Sequence, residues 1–234
     1  VTSPQIQRDF MKHGIPRVEV WQKGVNSTQF HPDYNDADMR YRMTDGRPDD
    51  FLLVYIGRLA EEKRLVVLKG VIEKIPNATL CLVGTGPFES KLRAYFKGTR
   101  TIFMGQLTGL ELSQAFASGD VFCMPSTSET LGFVVLESMA SGVPVVAANA
   151  GGLQHLIEHQ RTGFLVTPES ENEFIQKVEA VRATPQLRKS IVDAARLETE
   201  RLTWERSMAN VRDSIYPTAI QNFQQRSRQN YSCI

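Results

Sequence analysis

The chain has 234 residues, of which 41% are hydrophobic and 23% charged, values typical of a globular protein. The 27 Lys and Arg residues nearly balance the 26 Asp and Glu residues, so a net charge of +1 gives no reason to expect a nucleic acid or charged-surface partner. Three cysteines without a CxxC spacing predict no disulfide framework, which fits a reducing compartment. No apolar run approaches the ~18 residues that a membrane-spanning helix needs.

The first 50 residues differ in composition and sequence pattern from the rest of the chain. Ser3-Pro4 predicts a capped helix that Gly14 ends. Residues 18–21 have a short strand pattern. Residues 21–50 are polar and rich in turn residues, which predicts a linker or lid.

From residue 51, short apolar runs alternate with helical patterns, the first of which predicts a helix over Lys63–Lys74. Residues 171–225 have mostly helical patterns, in which Pro185 is predicted to open one helix and Trp204 to lie near the start of another. The predicted strands are Phe51–Ile56, Thr79–Val83, Thr101–Met104, Val121–Met124, Val143–Ala147 and Phe164–Val166. Their Val, Leu and Ile residues do not alternate with polar ones, which is typical of strands buried on both faces of a parallel sheet. The pattern therefore predicts a Rossmann-like, doubly wound parallel α/β sheet followed by a C-terminal helical tail.

Two cations follow the first predicted strand. Arg58 comes directly after Gly57, and Lys63 lies five residues later. A guanidinium fork and an ammonium point charge on one loop suit an anionic ligand. A solvated loop in which Glu61 and Glu62 pair locally explains this segment equally well.

The second predicted strand is followed by Gly84-Thr85-Gly86-Pro87. Two glycines let backbone N–H groups approach a ligand closely, and Pro87 suits the first turn of a helix, whose N-terminus favours an anion. The third glycine of GxGxxG and the Lys-Ser/Thr of a P-loop do not follow, so neither site is supported. A plain tight turn is the alternative.

The segment SETLGFVVLESMASG, residues 128–142, follows the fourth predicted strand. Ser128 or Thr130 can cap the next helix, and Gly132 leaves N–H groups of its first turn open to an anion. Glu137 lies about five residues, or ~7–8 Å, along that helix, within reach of a sugar attached to the anion. Glu129 lies in the loop on the other side, free to contact a second ring.

The surroundings of Glu137 favour a ligand role. The helix predicted around it is apolar nearly all round, so the carboxylate is expected to be buried and to need a partner. A capping acid for Glu129 and a surface helix face for Glu137 are the alternatives. His155 and His159 have i, i+4 spacing without a third ligand, which favours surface residues over a metal site.

Four segments in order resemble the nucleotide-sugar-binding domain of retaining glycosyltransferases with two Rossmann-like domains, the GT-B fold. The segments are GRLAEEK, VGTGP, PSTSETLGFVVLESMASGVPVVAANAGG and RTGFLVTP. The donor signature of that family is a glutamate pair separated by seven residues, as Glu129 and Glu137 are. The ordered set is much more specific than any one segment, and the resemblance covers nearly the whole chain.

The resemblance implies a role for each matching residue. Arg58 and Lys63 would bind the donor diphosphate and stabilise negative charge as the nucleotide leaves. The N–H groups of Leu131 and Gly132 would hold the diphosphate. Glu137 would bind the ribose hydroxyls and Glu129 the transferred sugar, with Gly57, Gly84, Gly86, Pro87 and Thr130 completing the donor site. No metal ion or other cofactor is implied, because cationic side chains and a helix N-terminus take its role.

Three positions depart from the family pattern. Asn26 stands where Asp is frequent, and Arg64 stands where Gly often follows the lysine. An acidic residue is also common where His155 stands, which puts a role for that position in doubt.

A closer resemblance is to the plant and algal sulfoquinovosyltransferases, which make sulfolipid from UDP-sulfoquinovose and diacylglycerol. It is carried by VWQKGVNSTQFHP, MRYRMTDGRPDD, GQLTGLELSQAFASGDVF and TWERSMANVRDSIYPTAIQNF. It implies a chloroplast enzyme in peripheral contact with the stromal side of a membrane; other members would be cytoplasmic. The alternatives are another UDP- or GDP-sugar-dependent transferase of the family and a non-catalytic nucleotide-binding domain.

The resemblance also divides the chain. Residues 1–20 would be a remnant of the N-terminal acceptor domain, 21–50 a linker and 51–200 the donor-binding domain. Residues 201–234 would form a C-terminal helix that crosses back toward the acceptor domain. Because the chain opens with Val1 and most of an acceptor domain is not in it, we expect it to be the donor half of an enzyme and inactive alone.

Overall fold

The computed structural model describes residues 1–21 and 23–231, excluding the side chains of residues 226–231; Cys233 lies outside the described residues. Contacts divide the chain into two compact units. The larger unit is Val25–Arg201, and the smaller one combines Val1–Gly24 with Leu202–Ile234.

The larger unit contains a six-stranded sheet in which all neighbouring strands are parallel. Its strands are β1 Phe51–Ile56, β2 Ala78–Val83, β3 Thr101–Gly105, β4 Val121–Met124, β5 Val145–Ala148 and β6 Phe164–Val166. Their order is β3-β2-β1-β4-β5-β6. The predicted doubly wound parallel sheet is therefore confirmed, and its order reverses direction between β1 and β4.

Ten α-helices are present among the described residues. They are α1 Pro4–Lys12, α2 Ala37–Met43, α3 Leu68–Lys74, α4 Glu89–Tyr95, α5 Gly109–Ala117, α6 Phe133–Ala140, α7 Glu171–Ala183, α8 Pro185–Arg201, α9 Trp204–Asn210 and α10 Tyr216–Tyr231. As the sequence predicts, Pro185 opens α8 and Trp204 opens α9. None of the helices in the described part of the chain is both long and apolar enough to cross a bilayer.

Burial explains why the strand sequences lack alternation. Every residue of β2, β4 and β5 is buried, because helices cover both faces of the sheet. In the centre, the rings of Tyr55 and Phe122 stack with centroids 6.5 Å apart, and Phe116 packs on Phe122 at 5.9 Å. The two central strands that border the strand-order reversal are thereby fixed against each other.

The Asp120 carboxylate connects three elements at the end of the sheet where β1 and β4 begin. Asp120 Oδ2 accepts hydrogen bonds from Arg40 Nη2 at 2.7 Å and from the Leu52 N–H at 2.8 Å. Its Oδ1 accepts from Arg188 Nη2 at 3.1 Å. The helices α2 and α8 are therefore bound to the start of β1, away from the carboxyl ends of the strands.

Three local predictions are corrected. Residues 63–74 do not form one helix: two 3₁₀ turns, Glu61–Lys63 and Leu65–Val67, precede α3, because Arg64 between them is left-handed with φ 52°. Residues 18–21 are irregular instead of a strand. Residues 25–50, predicted to be part of a linker, instead pack as part of the larger unit, where Met39 and Met43 of α2 are buried.

The smaller unit is helical. Ser3 caps α1, as predicted, by accepting the N–H of Ile6 at 3.3 Å, and Pro4 occupies the first turn. A π-helical turn, Val211–Ile215, joins α9 to α10. The Trp21 and Trp204 rings lie with centroids 6.0 Å apart.

Candidate functional site

Two adjoining clefts open at the carboxyl edge of the sheet. The Glu137 cleft, of about 390 Å³, is lined by Ile56, Gly57, Arg58, Val83, Gly84, Thr85, Gln106, Leu107, Leu112, Val134 and Glu137. The Glu129 cleft, of about 310 Å³, is lined by Tyr55, Ile56, Gly57, Arg58, Lys63, Met124, Glu129, Thr130, Leu131, Phe133 and Val134. Four residues, Ile56, Gly57, Arg58 and Val134, line both.

The strand order explains the position of both clefts. The ends of β1, β2 and β3 supply one wall of the Glu137 cleft, and the ends of β1 and β4 supply one wall of the Glu129 cleft. Helix α6 closes both of them from one side. The Glu129 cleft thus lies where the strand order reverses, the position at which open α/β sheets bind ligands.

Lys63 and Glu129 form a largely buried ion pair in the Glu129 cleft. Lys63 Nζ lies 2.7 Å from Glu129 Oε2, with side chains only 17% and 16% exposed. The other oxygen, Glu129 Oε1, accepts the N–H of Gly132 at 3.1 Å. Burial opposes ionisation of Glu129, but the hydrogen bonds from Lys63 and from the backbone at Gly132 outweigh it and lower the pKa of the carboxyl.

Helix α6 begins differently from the prediction. Its N-cap is Gly132 with φ 68°, and neither Ser128 nor Thr130 caps it through a side chain. A Cβ at Gly132 would lie 2.5 Å from Leu156 Cδ1, a side-chain tip that can shift, so the left-handed backbone is the main reason for glycine here. The Gly132 N–H, predicted to be open to an anion, is bonded to Glu129 instead.

Arg58 is held by a local partner. Its Nη2 lies 2.5 Å from Glu62 Oε1, while its side chain remains 66% exposed. The alternative of local pairing thus describes Arg58 but not Lys63, whose partner lies 66 residues away. The carbonyl of Arg58 accepts a hydrogen bond from the Tyr55 hydroxyl at 3.0 Å. This bond braces the loop from which Arg58 reaches both clefts.

Glu137 is the carboxylate without a partner. Its side chain lines the cleft, and its carboxylate forms no hydrogen bond or ion pair with any residue that the structure describes. Burial raises its pKa to about 7. A partly buried carboxyl with unused acceptor capacity can accept two hydrogen bonds from a ligand that presents adjacent hydroxyl groups.

Packing accounts for the glycines after β2. A Cβ on Gly84 would lie 2.0 Å from the Gly57 carbonyl oxygen, and one on Gly86 would lie 2.2 Å from that of Leu59. The Gly84 N–H already donates to the Gly105 carbonyl at 2.7 Å. Pro87 was predicted to lie in the first turn of a helix, but α4 begins only at Glu89, so Pro87 precedes the helix.

The structure brings most of the predicted site residues together. Gly57 and Arg58 line both clefts, Gly84 lines the Glu137 cleft, and Lys63, Thr130 and Leu131 line the Glu129 cleft. Within the described chain, Gly86, Pro87 and Gly132 line neither cleft; Gly132 contributes through its hydrogen bond to Glu129.

Sequence reasoning missed Tyr55 and Gln106. Gln106 directly follows Gly105 at the end of β3, so the strand-end rule that selects Arg58 could have found it. Tyr55 carries no such signal, because an aromatic residue inside a buried strand is ordinary. Its hydroxyl becomes a site feature only through its contact with the Arg58 carbonyl.

Metal-ligand geometry is not found in the described part of the chain, where no three His, Cys, Asp or Glu residues cluster. His159 Nδ1 accepts the N–H of Leu165 at 3.0 Å, which gives this ring a structural partner. Cys81 and Cys123 are free, buried thiols.

The sequence matches the profile of a family described as glycosyl transferases group 1 over residues 50–183. It is 41% identical over 226 residues to the sulfoquinovosyl transferase SQD2 of Arabidopsis thaliana, covering 94% of this chain and 44% of the relative. It is 39% identical over 165 residues to a GDP-mannose-dependent alpha-mannosyltransferase of Mycolicibacterium smegmatis, covering 70% of this chain and 42% of that protein. The chain thus spans less than half the length of these relatives.

A solved structure shares the fold. The Anabaena protein Alr3699/HepE, crystallised with UDP, superposes with a TM-score of 0.81 at 24% identity, over 93% of this chain and 63% of that one. At this identity the likeness concerns the fold, which is that of the GT-B glycosyltransferases.

Proposed function

This chain belongs to the glycosyl transferases group 1 family, and we propose that it forms the donor-binding half of a retaining enzyme that uses a UDP-sugar. The observation that carries the proposal is the placement of its two glutamates. Glu129 and Glu137 lie in adjoining clefts that share Gly57 and Arg58, so one elongated ligand can reach both carboxylates.

In this proposal the Glu137 cleft takes the nucleoside. Glu137 accepts hydrogen bonds from the two ribose hydroxyls, which supply the partner that the carboxylate lacks. Leu107 and Leu112 offer apolar surface in the same cleft, and Gln106 offers an amide, a combination suited to the face and edge of a base.

The cations between the clefts take the diphosphate. Arg58 lines both clefts and Lys63 lines the Glu129 cleft, so positive charge lies between the proposed positions of the ribose and of the sugar. As the bond from the anomeric carbon to the diphosphate breaks, negative charge grows on the leaving oxygen, and fixed cations stabilise it. The sugar lies near Glu129. The acceptor hydroxyl oxygen bonds to the anomeric carbon from the face that the diphosphate leaves, and its proton passes to the leaving diphosphate oxygen. The donor site operates without a metal ion.

The donor is UDP-sulfoquinovose and the acceptor diacylglycerol, with the enzyme located in the chloroplast in peripheral contact with a membrane. Support comes from the 41% identity to the Arabidopsis sulfoquinovosyl transferase, which extends over 94% of this chain. The competing function is transfer from a GDP-sugar, favoured by the 39% identity to a GDP-mannose-dependent enzyme over a shorter stretch.

Calorimetry on the chain tests the donor site. We expect weak UDP binding that exceeds GDP binding and is unchanged by EDTA. Among sugar nucleotides, UDP-sulfoquinovose should bind more tightly than UDP-glucose or UDP-galactose. Folded chain that binds no UDP contradicts the proposal, and preference for GDP selects the competing function.

One variant, measured with two ligands, tests the assignment within the site. Glu137→Ala should weaken UDP binding by about a hundredfold, the effect of losing two hydrogen bonds to a carboxylate, and leave the binding of inorganic pyrophosphate nearly unaffected. Equal losses for both ligands would contradict the ribose role. The transfer reaction itself is assayed with the full-length protein, using UDP-sulfoquinovose and diacylglycerol.

A further inference from the structure

The carboxylate of Glu129 holds the groups that the donor diphosphate is proposed to use. Its Oε2 contacts Lys63 Nζ at 2.7 Å and its Oε1 accepts the Gly132 N–H at 3.1 Å. The backbone N–H of Leu131 also favours the charged carboxylate. One side chain thus connects a cation of the β1 loop with the loop before α6.

Because the ion pair between Lys63 and Glu129 is largely buried, it affects the binding of another anion at the same place. An exposed ion pair is screened by water and contributes little, but both side chains here are more than four-fifths buried. The Gly132 N–H is a single donor that Glu129 occupies, so a phosphate oxygen that accepts it must displace the carboxylate, and repulsion between the two anions favours the same displacement at Lys63. Binding of the diphosphate therefore requires Glu129 to leave its present position.

The displaced Glu129 carboxylate finds new hydrogen-bond donors with one kind of ligand and none with the other. An intact sugar nucleotide brings sugar hydroxyls to the Glu129 cleft, so the displaced carboxylate exchanges its old hydrogen bonds for new ones. A free nucleoside diphosphate brings none, and the partly buried charge is left without a partner, which costs free energy.

We propose that Glu129 makes the site discriminate between an intact sugar donor and the free nucleoside diphosphate that the reaction releases. This rests on the proposed function of the site. Glu129 acts as a resident anion that a complete donor can displace without loss and that a bare diphosphate displaces at a cost. After transfer, its return to Lys63 opposes retention of the product.

The other glutamates near the cations do not have this property. Glu62 pairs with Arg58, but that pair is largely exposed and lies at the rim. Glu137 contacts neither cation. Glu61 is exposed and forms no ion pair with a described residue, although it lies on the same loop. It provides a control that changes the net charge by the same amount.

The test compares Glu129→Gln with Glu61→Gln by calorimetry, with UDP as the product and with UDP-sulfoquinovose and UDP-glucose as intact donors. Glutamine retains an acceptor for the Gly132 N–H but has no charge with which to hold Lys63. We expect Glu129→Gln to bind UDP about fivefold more tightly than the control does, with no gain for the bound sugar donor. Discrimination between product and donor is then lost.

The results separate this inference from the proposed function. If the folded wild-type chain binds neither UDP nor a sugar donor, the proposal that these clefts form a donor site is wrong. If the wild type binds UDP but Glu129→Gln binds it no more tightly than Glu61→Gln, the resident-anion role is overturned and the donor site stands. Should Glu129→Gln not fold, Glu129→Asp replaces it, because the shorter side chain cannot bridge the same two groups and should also tighten UDP.

Discussion

Gly84 lies against the backbone of Gly57, so closely that a Cβ on Gly84 would fall 2.0 Å from the Gly57 carbonyl oxygen. Gly84 also has φ 125°, a conformation that side chains disfavour. We therefore predict that Gly84→Ala lowers the free energy of unfolding by about 3 kcal/mol or more, as strain and a backbone clash add. Urea denaturation followed by circular dichroism measures the loss.

Gly98→Ala is the matched control for that substitution. Gly98 has φ 88°, but a Cβ there would meet no atom within 4 Å. It should cost only the conformational penalty, about 1 kcal/mol. Equal costs at the two positions would show that the contact between the β1 and β2 loops does not require glycine.

We predict that ionisation of Glu137 lowers the stability of the fold, although the ionised form is the one that binds the ribose hydroxyls. Burial raises the pKa of its carboxyl to about 7 in the folded chain, above the value of an exposed glutamate. The folded state thus retains a proton that the unfolded state has lost, so this stabilisation is full below pH ~4 and is lost as pH rises through about 7. Glu137→Gln should stabilise the chain more at pH 8 than at pH 5, by about 2 kcal/mol.

Chemical denaturation at the two pH values measures this difference, in which any constant cost of the buried amide cancels. Glu61→Gln is the control, because this glutamate is exposed. The interpretation of Glu137 as a buried, unpartnered group is wrong if its substitution shows the same pH dependence as the control.

The same titration predicts pH-dependent nucleotide binding. Ribose hydroxyls donate to the ionised form of Glu137, so UDP affinity should rise between pH 6 and pH 8 as the carboxyl loses its proton. Pyrophosphate shares the titrating phosphates but lacks the ribose, which makes it the reference ligand. Calorimetry should show a steeper rise for UDP than for pyrophosphate, and Glu137→Gln should remove the difference.

The strands could be predicted because each is a short, mainly apolar run that ends at or before a glycine, proline or polar residue. β1, β4 and β6 have the predicted bounds, and β5 begins two residues later than predicted, after Pro144. The rule that ligands meet the carboxyl ends of strands then selected Arg58, Lys63 and Glu129. That rule depends on topology alone, and the sequence pattern determined the topology.

Side-chain partners could not be predicted in this way. The pairing of Lys63 with Glu129 joins residues 66 positions apart through the rotamers of two long side chains, for which no spacing rule exists. Burial of Met39 and Met43 was also missed, because their segment is polar on average and only two positions of its short helix face the core. The close backbone packing that requires the glycines after β2 could not be predicted either, because it depends on the loop after β1.

Arg64 provides a test of local strain. It has φ 52° between two 3₁₀ turns, and its Nε forms an exposed ion pair with Glu169 Oε1 at 3.1 Å. Glycine accepts this conformation without penalty, and an exposed pair contributes little. Arg64→Gly should therefore raise the free energy of unfolding by about 0.5–1 kcal/mol. Arg64→Ala keeps the strain and loses the pair, so it should be no more stable than the wild type.

Tyr55 links the core to the site through one hydroxyl. Its ring is fully buried against Phe122, and its hydroxyl donates to the Arg58 carbonyl at 3.0 Å. Tyr55→Phe keeps the ring and should cost about 1 kcal/mol of stability. Because the loop carrying Arg58 is then less well fixed, pyrophosphate and UDP should both bind several-fold more weakly. The exposed Tyr95→Phe should change neither quantity, and unchanged pyrophosphate binding by folded Tyr55→Phe would limit the hydroxyl to a role in packing.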